Sequence, residues 1–169
     1  MQMQMQKKTI LLGSSIIERW PSDKYSLNLG ISGLTSGELM ESYSRIRIPL
    51  QQNIILYIGS NDITKNLPIT TNEIYQNITE FINKIIKKNK NQHIIFVAIL
   101  KSPDRTREQI QKIDIINRKM REFSQKHPQN IYFCNLNREL SSTKNYLPDK
   151  IHLSETGYSI LSKHILSFL

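Results

Sequence analysis

Short unbroken apolar runs alternate along the chain with longer stretches in which apolar residues recur every three or four positions. A short continuous apolar run suits a strand buried on both faces, and the three-to-four spacing suits a helix lying on such a sheet. The alternation therefore predicts βαβ units and a parallel sheet covered on both sides. Strands are expected over 9–12, 26–29, 53–58, 93–100 and 131–134, with a short helix at 16–20 after the first. Over 71–90, Ile74, Ile78, Phe81, Ile82, Ile85 and Ile86 form one stripe, and Thr70 with Glu73 has the spacing of a capping box. A second long helix is expected over 107–126, on Ile110, Ile113, Ile116, Met120 and Phe123, with Pro128 as its stop. A third starts near Ser154 and carries Ile160, Leu161, Ile165 and Phe168 towards the terminus. No internal repeat or linker breaks the pattern, so residues 1–8 read as an N-terminal extension and 9–169 as one domain.

Composition changes this picture little. A chain of 169 residues supports one full core and hardly two, and 38% hydrophobic with 22% charged residues is ordinary for a globular protein. The net charge of +9 admits nucleic acid, anionic lipid or an acidic substrate as partners. Many of the cations, among them Lys84, Lys87, Lys88, Lys112, Lys119 and Arg121, lie along expected helix faces, where a solvated surface is the simpler reading. Nucleic-acid binding would rest on net charge alone and is not expected. The single cysteine, Cys134, excludes an intrachain disulfide and sits in an apolar run as a buried, inert thiol. The start MQMQMQKK lacks a signal-like apolar segment, and no run approaches membrane-span length, so a cytoplasmic location without membrane insertion is expected.

In an open parallel sheet, ligands bind beyond the carboxyl ends of the strands. The segments leaving those ends are 13–16, 30–37, 59–64, 101–106 and 135–153. The first holds Ser14 and Ser15 at a turn into a helix, where unpaired N–H groups face outward. A serine hydroxyl becomes a nucleophile only beside a base that is itself oriented. Of the four histidines, His93 begins a strand, His127 ends a helix and His164 lies inside one. His152 stands just before the last helix with Asp149 three residues upstream, a spacing that lets the carboxylate reach Nδ1 and leaves Nε2 for Ser15. Each feature alone is ambiguous: Ser15 could cap a helix, and Asp149-x-x-His152 could be a surface turn. The Gly-rich stretch GISGLTSG lacks both a P-loop lysine and the G-x-G-x-x-G spacing, which argues against a nucleotide or flavin binder. Asn77-Ile78-Thr79 has the form of a glycosylation acceptor but falls in mid-helix.

Four blocks taken together, GSSI at 13–16, NLGISGLTS at 28–36, YIGSND at 57–62 and DKIHLS at 149–154, resemble the SGNH, or GDSL-type, hydrolase family from Leu11 to Tyr158. The resemblance implies an α/β fold: a three-layer α/β/α, flavodoxin-like arrangement with a five-stranded parallel sheet. It implies Ser15 as nucleophile, His152 as base and Asp149 as its orienter. The oxyanion hole would comprise the backbone N–H groups of Ser15 and Gly33 and the side-chain amide of Asn61. Gly30 is expected as a turn residue and Asp62 as a brace for the loop. The implied reaction is hydrolysis of carboxylic esters, and sometimes thioesters, through an acyl-enzyme, with no metal or organic cofactor. Two positions depart from the pattern: Ser14 stands for the usual aspartate, and Leu34 stands where an aspartate often follows the glycine. Both bear on specificity more than on chemistry.

The small chain suggests an open site for a small-molecule or carbohydrate ester with a short, acetyl-type acyl group. Ser14, Leu34, Lys65, Lys101 and Arg105 are expected to contact substrate, and the cations among them, with Arg107, would attract an acidic one such as an anionic acetylated glycan. The rival reading is a non-catalytic glycan- or lipid-binding module that retains the fold, against which stand the intact Ser15, Asp149 and His152.

Overall fold

A computed structural model describes residues 9–21, 26–48 and 53–169, so the N-terminal extension lies outside the described residues. Five strands, β1 (Thr9–Gly13), β2 (Ser26–Gly30), β3 (Asn53–Tyr57), β4 (His93–Val97) and β5 (Ile131–Cys134), form one sheet in the order β2-β1-β3-β4-β5. Every pairing is parallel. Among the described residues, six α-helices join or follow them: α1 (Ser15–Glu18), α2 (Ser36–Ser42), α3 (Ser60–Thr64), α4 (Thr71–Lys88), α5 (Arg107–Lys126) and α6 (Glu155–Leu166).

Side chains alternate across each strand, which divides the interior in two. Ile10, Leu12, Ile54, Leu56, Ile94 and Phe96 face α4 and α5. Leu11, Ile55, Tyr57, Ile95 and Val97 face α1 and α6. The expected α/β/α layering and five-stranded parallel sheet are therefore present. Strand order reverses between β1 and β3, the place where an open sheet leaves a crevice at its carboxyl edge.

The long helices follow their sequence signals closely. Thr70 and Glu73 form the reciprocal capping box of α4, and the helix ends at Lys88 rather than at 90. α5 spans the expected range and carries a further capping box between Thr106 and Gln109. Ile86 and Ile110 are half-buried at the margins of their stripes. α6 stops at Leu166, so Phe168 lies beyond the helix, is 45% exposed, and stacks on Tyr132 with ring centroids 3.9 Å apart. α2 was not anticipated, because seven residues burying only Ser36 and Leu39 are too few to display a period.

The fourth strand ends at Val97, three residues short of the expected 100. The apolar run continues, but side-chain amides replace the strand ladder. Ile99 N–H donates to Asn117 Oδ1 at 2.9 Å, and the Ile99 carbonyl accepts from Asn117 Nδ2 at 2.9 Å and Asn137 Nδ2 at 3.1 Å. Asn117→Ala would leave a buried N–H without a partner and is expected to cost about 1–3 kcal/mol, read as a lower urea midpoint at unchanged slope.

Candidate active site

β1 delivers the chain to the sheet edge at Gly13, and Ser14 N–H donates to the Tyr57 carbonyl at 3.1 Å, extending the β1–β3 pairing by one residue. Ser14 is the N-cap position of α1, but its side chain makes no capping bond, and its carbonyl accepts from Ile17 and Glu18 N–H. Ser15 is thus the first helical residue and not the cap. Helix α1 is fixed by burial of Ile16 and Ile17, by Tyr158 Oη donating to the Ile16 carbonyl at 2.8 Å, and by Asn28 Nδ2 donating to the Ile17 carbonyl at 2.7 Å. Gly30, expected as a turn residue ending the second strand, is the last residue of β2. A Cβ there would stand 2.3 Å from the Glu18 backbone nitrogen, so glycine is required by the closeness of α1 to the sheet.

The loop after β2 bends at Gly33, whose φ of +81° lies in the left-handed region that favours glycine. Added side-chain volume would meet little protein there, so conformation is the constraint. Asp62 braces this loop as expected: it is 2% exposed and accepts from Ser36 N–H at 2.9 Å and Ser36 Oγ at 2.7 Å. Asn77, in the motif that resembled a glycosylation acceptor, donates from Nδ2 to Ser36 Oγ at 3.2 Å. Asn61 Nδ2 donates to the Leu34 carbonyl at 3.0 Å, which holds the amide in place with one N–H still unused. Among the described residues, the backbone N–H groups of Ser15 and Gly33 have no protein acceptor.

The last segment is held by an antiparallel bridge between Tyr146 and Leu153 and by the Leu147 N–H bond to the His152 carbonyl at 2.7 Å. Lys150, at φ +61°, closes the turn by donating its N–H to the Leu147 carbonyl. This turn aims Asp149 at the ring. Asp149 Oδ1 accepts from the backbone N–H groups of Ile151 and His152 at 2.9 and 3.0 Å, and Oδ2 lies 2.6 Å from His152 Nδ1. His152 Nε2 stands 3.1 Å from Ser15 Oγ. The hydrogen bond from His152, followed by the two backbone donors, holds the Asp149 carboxyl at about 2, below its ordinary 3.8. With the carboxylate ionised, Nδ1 carries the proton and Nε2 can accept one from the serine.

Ser15, Gly33, Asn61 and His152 share one cleft of about 340 Å³ with Arg19 and Arg105. The remaining expected contacts lie away from it. Ser14 is buried, and Leu34 packs against the α4 side of the core. Lys65 Nζ donates to the Gly33 carbonyl at 2.7 Å, holding the loop from outside the cleft. Lys101 turns to an ion pair with Asp114 of α5. His93, His127 and His164 line no part of the cleft. Ser36, Asn77 and Tyr158 hold the site's framework, a role for which the sequence carried no signal, although Ser36 closes the block at 28–36 and Asn77 opens the glycosylation-like motif. Cys134 is fully buried, and burial pushes its thiol up to about 12. Among the described residues no group of three or more His, Cys, Asp or Glu side chains is placed to hold a metal ion, and no helix is long and apolar enough to cross a membrane.

Strand order, a serine at the first strand-to-helix turn and a histidine returning from the last loop define an α/β fold of the SGNH hydrolase type. The model of the GDSL-like lipase/acylhydrolase family matches residues 11–160, and the chain belongs to that family. No curated protein sequence matches it significantly. Among solved structures it is similar to a Streptococcus pneumonia protein provisionally described as a platelet activating factor, with 26% identity and a TM-score of 0.82 over 98% of this chain and 85% of that one. A GDSL-like lipase from Bacteroides thetaiotaomicron aligns with 21% identity and a TM-score of 0.79, over 96% and 89% of the two chains. A variant of an acetyl xylan esterase from Geobacillus stearothermophilus aligns with 16% identity and a TM-score of 0.76, over 95% and 93%. These last two likenesses are of fold.

Proposed function

We propose that the protein is a serine esterase that hydrolyses short-acyl, acetyl-type esters, with carbohydrate esters among the candidate substrates, through an acyl-enzyme. The observation that carries this reading is the unbroken chain from Ser15 Oγ through His152 to Asp149, with contacts of 3.1 and 2.6 Å. In the proposed course, Ser15 Oγ attacks the ester carbonyl while His152 Nε2 takes its proton. The oxyanion is met by the N–H groups of Ser15 and Gly33 and the unused N–H of Asn61. Each such donor is worth roughly 10²–10³ in rate. His152 then passes the proton to the leaving alcohol. Water, deprotonated by the same nitrogen, releases the acid from Ser15.

A fluorophosphonate probe tests this directly. The tag is expected on Ser15 by peptide mapping and is expected to be lost in His152→Ala. A wild-type protein that takes no tag and cleaves no ester would instead support the binding-module reading.

The cleft is near the small end of the range for small-molecule sites, which suits a short acyl group with part of its alcohol. Across 4-nitrophenyl esters, kcat/KM is expected to be highest for acetate and to fall by about tenfold or more towards dodecanoate, since longer chains leave the cleft. A rise with chain length would overturn the acetyl-type preference. That a structural neighbour is an acetyl xylan esterase is consistent with the short-acyl reading.

A further inference from the structure

The cleft contains polar groups that the proposed reaction does not use. Arg105 reaches into it with its guanidinium fixed between two hydroxyls: one terminal nitrogen donates to Thr64 Oγ1 and the other to Ser60 Oγ at 2.5 Å. Hydroxyls orient the fork but leave its charge uncompensated, and among the described residues no carboxylate lies within ion-pair distance. Its Nε is buried without an acceptor. Ser102, 3% exposed and lining the same cleft, also has a buried hydroxyl with no partner. Arg19 adds a second cation to the lining, which includes no carboxylate.

A buried donor without an acceptor is costly, and the half-buried guanidinium, held only by neutral hydroxyls, keeps a charge that an anion can pair. Two such donors in one cleft, one of them on a preoriented fork that matches a carboxylate or phosphate, call for an anionic oxygen acceptor. Resting on the esterase reading, we infer that the substrate is an ester bearing a second, anionic group, a carboxylate or phosphate, and that Arg105 with Ser102 forms the subsite that holds it. Arg105 is then a specificity-determining residue. The cations on the outer surface, Lys65 and Lys101, take no part, since each is committed to a protein acceptor.

Two matched ester pairs locate the charge. The first sets 4-acetoxybenzoate against its methyl ester, with the anion on the alcohol side. The second sets monoethyl succinate against ethyl butyrate, with the anion on the acyl side. In at least one pair the wild type is expected to favour the anionic member by about tenfold or more in kcat/KM, as a charge-assisted contact in a partly dry site allows. Arg105→Gln is expected to remove that preference, Arg105→Lys to retain part of it, and Ser102→Ala to give a smaller loss. Calorimetric binding of 4-acetoxybenzoate and of monoethyl succinate to Ser15→Ala, with and without Arg105→Gln, reads the same contact without turnover. A ratio of anionic to neutral kcat/KM unchanged by Arg105→Gln in both pairs would overturn the subsite and leave the esterase standing. Arg105-dependent binding without cleavage of any ester would overturn the esterase and leave the subsite standing.

Discussion

Ser15→Ala and His152→Ala are each expected to lower kcat on 4-nitrophenyl acetate by at least about 10⁴, and the double variant is expected to lose scarcely more than the worse single one. The reason is geometric. Ser15 Oγ and His152 Nε2 lie within hydrogen-bond distance, and in the proposed reaction they execute one proton transfer between them. Removing either abolishes the same step, so the two losses do not add. The residual rate would come from substrate held against the N–H donors of Gly33 and Asn61. Steady-state kinetics on the two single variants and the double variant decide the matter. Additive losses would mean that the serine and the imidazole act in separate steps.

Fold and site were legible to different depths. The sheet was legible because its strands are short apolar runs buried on both faces, and the two long helices because their stripes persist over many turns. The end of β4 was not, since Ala98, Ile99 and Leu100 are fully buried and apolar: Ala98 N–H still donates to the Cys134 carbonyl, and it is side chains distant in sequence, Asn117 and Asn137 at Ile99 and Tyr57 at Leu100, that take the chain out of the ladder. In the site, Ser15, Asp149 and His152 were singled out by the four blocks that resemble the SGNH family, with chain order and loop position in support. Asp149 and His152 are close in sequence, and the sheet edge brings their turn to β1. The outer contacts were harder to place. Lys101 and Arg105 leave the same strand end, yet Lys101 turns to Asp114 while Arg105 enters the cleft and finds Ser60 and Thr64. That choice depends on partners far away in sequence, which local patterns do not carry. Ser102 and Ser36 were silent for the same reason: a serine's role depends on what faces it.

Asp149→Asn is expected to lower kcat by about 10³, and to do so chiefly through the tautomer of His152. In the wild type, one Asp149 oxygen accepts two backbone N–H bonds while the other accepts from Nδ1. An asparagine can keep the backbone bonds only with its own oxygen, which turns its NH₂ group towards Nδ1. The ring must then carry its proton on Nε2, where it can no longer accept one from Ser15. Asp149→Ala frees the ring of that wrong partner but gives up the loop's backbone bonds. The asparagine variant should therefore be the more stable of the two, yet gain nothing in kcat from its better-held loop. The carboxyl's low folded value of about 2 also fixes a sign. Because it lies below the ordinary 3.8, the ionised form favours the folded chain at all higher pH, and this contribution is lost as pH falls through the interval between the two. The stability advantage of wild type over Asp149→Asn should shrink between about pH 4 and pH 2, read as converging urea midpoints. An advantage that held constant through that interval would mean that the carboxylate's charge contributes nothing to the turn that presents His152.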